Sequence, residues 1–125
     1  MDRTIVHFEI PANDVEKLSR FYSKVFGWKF EKVETPDDNA YWLITTKERQ
    51  ESAGVNGGMS RKMDANQRPT NYVLVESIVD YLKKFEQHGG KTIMPRTVIP
   101  KMVIFALAID PEGNPLGLVE PTMPE

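Results

Sequence analysis

Apolar and polar positions alternate as soon as the chain begins. Val6, Phe8 and Ile10 point one way, while Ile5, His7 and Glu9 point the other, so residues 5–10 are expected to form a strand. Pro11 is expected to end it. Asn13 or Asp14 is placed to cap a helix. Val15, Leu18, Phe21, Tyr22, Val25 and Phe26 then fall on one helical stripe, which Gly27 closes. Strands are expected at 28–33 and 40–46, with a weaker one at 53–60. The intervening "ETPDDN" (34–39) has turn composition.

Residues 60–70 lack apolar periodicity and read as a linker. The pattern then repeats. "NYVLVES" (71–77) reads as a strand, and Ser77 is placed to cap a helix carrying Ile78, Tyr81, Leu82 and Phe85. "HGG" ends that helix, and strands follow at 91–98, 102–109 and 115–120, with the turn "DPEGN" before the last. Strand, helix and three strands are thus given twice, an internal repeat of about half the chain. Residues 102–109 are apolar at both parities, so that strand is expected to be covered on both faces. Helices would cover one; a facing sheet, a partner subunit or an apolar ligand would cover the other.

Composition narrows the function. A chain of 125 residues fits one domain, expected as 1–125 with module one at about 1–60, a linker at about 61–69 and module two at about 70–125. The net charge of −2 and pI near 5.7 give no electrostatic footprint for nucleic acid. The longest apolar run, "MVIFALAI", is too short to span a bilayer, so no membrane partner is expected. The absence of cysteine excludes disulfides and thiolate chemistry and is compatible with a reducing compartment. The strand pattern starts too early to leave room for a signal peptide, and a cytoplasmic location is the expectation.

"IVHFEIPANDVEKLSRFYSKVFGWKF" and "FEQHGGKTIMPRTVIPKMVIFALAIDPEGNPLGLVEP" resemble the two modules of the glyoxalase / bleomycin-resistance / dioxygenase (vicinal oxygen chelate) superfamily. The resemblance rests on the early His, "FY", "FGW", "GG" after the second helix and the late "DPEGN" turn. It implies an α+β fold of two βαβββ modules, with curled mixed sheets enclosing a cleft. It also implies a small-molecule ligand and a homodimer. The superfamily includes lyases, dioxygenases, epimerases, thiol transferases and antibiotic-sequestering proteins, so the fold does not fix a reaction.

Family members hold a metal with side chains from the first and fourth strands of each module. By that resemblance the first ligand position falls on His7. The second module's equivalent falls on Asn71 or Thr70, and the fourth-strand position of module one lies in "AGVNGGM", where Asn56 offers only a weak oxygen donor. The last falls on Gly117, where many metal-binding members have Glu; Glu120 has the opposite strand parity. One strong donor is too few, so the usual divalent metal centre is expected to be absent. Glu9, or donors from a second chain, could rebuild a partial site.

His7 and Glu9 are therefore the catalytic candidates, as a general-base pair that needs no metal. The alternative is a lining histidine hydrogen-bonded to Glu9 or to backbone. Asn56, Asn71 and Gly117 are candidate ligand-binding positions. His88, at a helix end, suits the helix dipole. "GVNGG" opens no helix and reads as a strand that admits a close neighbour rather than as a phosphate loop. Tyr41 and Trp42 lie on opposite faces, so at most one of them lines a cleft. Met59, Met94 and Met102 suit either a soft pocket wall or core filling. The expected function is binding of a small apolar or aromatic molecule without the usual metal. The alternatives are a metal-dependent lyase or dioxygenase with unusual ligands, and an interaction module whose cleft has filled with side chains.

Overall fold

The computed structural model describes residues 1–35 and 40–121, so most of the turn expected at 34–39 lies outside the described residues. The elements run β1 (Ile5–Ala12), α1 (Val15–Phe26), β2 (Lys29–Val33), β3 (Tyr41–Thr45), β4 (Gly57–Arg61), β5 (Thr70–Leu74), α2 (Ile78–Gln87), β6 (Lys91–Ile99), β7 (Val103–Ile109) and β8 (Pro115–Glu120). This is an α+β fold of two βαβββ modules. The chain forms two compact units, His7–Pro69 and a second comprising Met1–Val6 and Thr70–Glu125.

In the unit His7–Pro69 the strand order is β2-β3-β4-β1, with β1 and β4 parallel and the other pairs antiparallel. The Asp14 carboxylate caps α1, accepting from Lys17 N–H at 3.0 Å, and Gly27 closes the helix at φ 75°. One sheet face packs on α1. Ala12, Val15, Ile44 and Met59 are buried there, with Phe8, Ile10, Leu18, Tyr22, Trp28, Phe30 and Trp42 around them. Met59 thus fills core.

Three expectations change here. Pro11 does not end β1, which runs on to Ala12 with Pro11 opposite Ser60. The Ala12 carbonyl accepts from Lys62 N–H on the β4 side, so the alternate position, Pro11, turns its missing N–H away from that ladder. β4 begins at Gly57 instead of 53. The helical stripe is also wider than the surface the sheet covers. Phe21, Val25 and Phe26 remain exposed, although Tyr22 and Phe26 both pack near Trp28.

In the second unit the order is β5-β8-β7-β6, with β5 and β8 parallel. Ser77 Oγ caps α2 by accepting from Asp80 N–H. Val75, Ile78, Leu82, Ala106, Ala108 and Leu118 form the core between helix and sheet. The doubly apolar strand β7 divides as its parity requires. Ala106 and Ala108 are buried on the helix side, whereas Phe105 and Leu107 are half-buried on the other. Glu120 ties this unit together. Its carboxylate accepts from the Ile78 N–H at the start of α2 (2.8 Å) and from Arg96 on β6 (3.0 and 3.1 Å). No helix of the described residues is long and apolar enough to cross a membrane.

Candidate functional site

The strand register assembles three side chains on the face of β1 that points away from α1. Phe8 and Ile10 take the helix side, which leaves His7 and Glu9 on the other. Tyr41 joins them because it is in register with Ser60, which is in register with Pro11, a position of the same parity as Glu9 and His7. Its hydroxyl lies 2.9 Å from His7 Nε2. Glu9 Oε1 is 3.9 Å from the same nitrogen, a distance of charge attraction and not of hydrogen bonding. Both His7 and Glu9 are partly buried.

Two glycines make this arrangement possible. A Cβ on Gly57 would come within 2.6 Å of the Phe8 ring on the helix side. A Cβ on Gly58 would strike the Tyr41 hydroxyl on the other. The neighbour that "GVNGG" admits is therefore the protein's own aromatic rings, one on each face. Tyr41 was not singled out as a site residue by the sequence. Its parity allowed it to line a cleft, but only the pairing of Leu43, Gly58 and Glu9 shows that a glycine lies in its path.

Burial pushes the His7 imidazole below its ordinary value of 6.5, because a charged ring loses hydration there. At neutral pH the ring is thus a neutral base with one acceptor nitrogen. A phenol is the natural donor to that nitrogen, and the Glu9 carboxylate stands where it can offset a charge that develops on the ring.

Each of the other candidate positions has a setting of its own. Asn56 Oδ1 accepts from Thr46 N–H (2.9 Å), Lys47 N–H (3.2 Å) and Thr46 Oγ1 (3.3 Å), so its oxygen fastens the end of β3. Asn71 is exposed and alternates with Tyr72, which gives it the parity of Val73, a residue that packs towards α2. Thr70 stands where His7 does in the first module, seven residues ahead of the helix cap. Gly117 is in register with Tyr72, and a Cβ there would collide with the Tyr72 ring.

The family model for the "Glyoxalase/Bleomycin resistance protein/Dioxygenase superfamily" matches residues 4–118. The chain belongs to that superfamily. A "Glyoxylase-like domain-containing protein" from Didymella fabae is 28% identical over 108 residues, covering 85% of this chain and 84% of the relative. Among solved structures, a hypothetical protein from Bacillus halodurans superposes with a TM-score of 0.72 at 12% identity, covering 100% of this chain and 99% of that one. Methylmalonyl-CoA epimerase from Mycobacterium tuberculosis gives 0.70 at 12% identity, covering 95% and 88%. A 2,3-dioxygenase from a Pseudomonas species gives 0.67 at 13% identity, with 98% of this chain covering 44% of that one. Likeness at such identities establishes the fold and leaves the reaction open.

The superfamily's metal centre can be tested against the residues present. Among the described residues no three His, Cys, Asp or Glu side chains gather in a way that could hold an ion. His7 and Glu9 supply one nitrogen and one carboxylate. Of the two fourth-strand glycines, Gly58 is covered by Tyr41 and Gly117 by Tyr72, which leaves no room for a donor at either position. This set does not match the several N and O ligands that such a centre requires.

Proposed function

We propose that this superfamily member binds a small, largely apolar molecule and acts on it, or recognises it, through His7 without the usual metal centre. The carrying observation is the Tyr41–His7 hydrogen bond at 2.9 Å with Glu9 beside it, on a sheet face that no helix of its unit covers. A neutral, partly buried imidazole next to a carboxylate is suited to taking a proton from a weakly acidic group. Leu43, 43% exposed and in register with Gly58 and so on the same face, gives that surface an apolar character. In the other unit, the face of β7 and β8 turned away from α2 carries Phe105, Leu107 and Val119, which is apolar as well. Asn56, with its oxygen already engaged, and Asn71, on the other parity, stand outside this reading. A cytoplasmic homodimer belongs to it, and sedimentation checks the dimer.

The test uses purified protein. Addition of Ni²⁺, Zn²⁺, Mn²⁺ or Fe²⁺ is expected to leave the unfolding midpoint unchanged, and metal analysis to find well below one ion per chain. Small phenols and aromatic ketones are expected to shift the NMR signals of the His7 ring. One tightly held ion per chain would overturn the reading in favour of a metal-dependent lyase or dioxygenase. So would a compound panel none of whose members reaches His7, in favour of a binding surface closed by its own side chains.

A further inference from the structure

We infer that the Tyr41 hydroxyl is the ligand-facing end of a proton relay through His7 Nε2 towards Glu9, and that Gly58 is the positioning residue that seats it. The inference rests on the ligand-binding reading above and adds the group that meets the ligand, together with the ligand's chemistry.

The geometry carries it in three steps. The Tyr41 oxygen and His7 Nε2 are 2.9 Å apart, within hydrogen-bond reach, and with the ring proton on Nδ1 the phenol donates to Nε2 and occupies the imidazole's acceptor at this face. A proton arriving from a ligand therefore reaches the imidazole through the phenol oxygen. Tyr41 can lie there only because β4 has no side chain at position 58, since any Cβ would meet the Tyr41 hydroxyl. Glu9 at 3.9 Å is too far to hold Nε2–H itself but near enough to stabilise an imidazolium. Donor, base and counter-charge thus line one strand face in order.

The ligand this suits has an apolar body and one weakly acidic group, a phenolic or enolic O–H or a C–H beside a carbonyl. In the step, the ligand's X–H bond breaks and its proton bonds to the Tyr41 oxygen, while the original phenol proton passes to His7 Nε2. The products are the ligand's conjugate base, a neutral tyrosine and an imidazolium facing Glu9. Return of the proton reverses each transfer. The relay also gives work to the Tyr41 phenol, which stands beside His7 Nε2 and has no part in a metal-based scheme.

Two measurements test the relay. The first reads the ¹⁵N signals of the His7 ring at pH 8 without ligand. Wild type is expected to show Nδ1 protonated and Nε2 as the acceptor, and Tyr41→Phe and Gly58→Ala to lose that bias towards a mixture. A wild-type ring protonated on Nε2, or spectra unchanged in Tyr41→Phe, overturns the proposal; Tyr41→Phe keeps the ring, so the result holds even if Gly58→Ala fails to fold. The second uses 4-nitrophenol, whose neutral and anionic forms absorb at different wavelengths. Bound to wild type it is expected to ionise at a pH where the free probe is mostly neutral, and Tyr41→Phe is expected to reduce that ionised fraction at least fivefold while affinity changes less than threefold. Equal ionisation by Tyr41→Phe sinks the relay and leaves the ligand-binding reading standing. Failure of wild type to bind the probe, with the ring signals as expected, makes the pair a structural contact and overturns the relay, while the compound panel alone decides the ligand-binding reading.

Discussion

Tyr72 lays its ring against the bare Cα of Gly117, its partner in register across the β5–β8 ladder. The position where the superfamily resemblance places a carboxylate is thus filled by an aromatic ring from the neighbouring strand. Gly117→Ala is expected to force that ring aside and to destabilise the protein by about 1–3 kcal/mol, the usual cost of overpacking. Tyr72 is itself buried, so little slack surrounds the ring. Denaturant unfolding reads the loss. In a Tyr72→Ala background the same substitution should cost much less, and additive costs in that cycle would show that the two residues do not oppose one another.

Glu120 joins three elements of its unit through one carboxylate. The Arg96 guanidinium beside it, and then the Ile78 N–H, hold that carboxyl below its ordinary value of 4.5. A depressed acid stabilises the fold above the unfolded value, and that contribution is lost as pH falls through the folded one. Glu120→Gln is expected to cost about 1–2 kcal/mol at pH 7, at the lower end for charged hydrogen bonds because Arg96 is 40% exposed. The gap between wild type and variant should narrow as pH falls below 4.5 and close once it has passed the folded value. A gap that persists there would mean that packing, not charge, is what the variant loses.

The elements around these residues were legible because each carries its own punctuation. Asp14 and Ser77 cap where the pattern placed caps, Gly27 closes α1, and β8 begins and ends at the expected residues. What escaped the sequence depends on register. Pro11 looks like a strand terminator until the ladder shows its nitrogen turned away from β4. Phe21 and Phe26 look like core until the narrow sheet leaves them outside it. The role of Gly58 could not be read from "NGG" alone, because the residue that fills its space comes from Tyr41, seventeen positions earlier. His7 and Glu9 were visible through strand alternation, a two-residue rule that needs no partner strand.

Acidification should weaken the fold through His7. Burial lowers its folded value below 6.5, so between that value and 6.5 the unfolded chain binds the proton and the folded one does not. Stability is therefore full above pH 6.5 and declines as pH falls through the folded value. Carboxylates titrate in the acid range too, so the informative quantity is the difference between wild type and His7→Gln. Measured by denaturant at pH 8 and pH 5, wild type is expected to lose more stability than the variant. The reverse order would require an imidazole favoured in its charged form, with Glu9 outweighing desolvation.

Met59 and Phe26 are both large and apolar, yet the fold assigns them opposite consequences. Met59 is fully buried between α1 and its sheet, in register with Ile10 and Trp42. Met59→Ala is expected to cost about 2–5 kcal/mol, the lost transfer energy plus the cavity. Phe26 is 62% exposed and meets Tyr22 and Trp28 through ring contacts. Phe26→Ala should then cost no more than about 1.5 kcal/mol, the scale of an aromatic pair without burial. Unfolding of the two variants side by side checks the assignment. If Phe26→Ala costs as much as Met59→Ala, the outer face of α1 is covered in solution, and repeating the measurement across protein concentrations would show whether a second copy covers it.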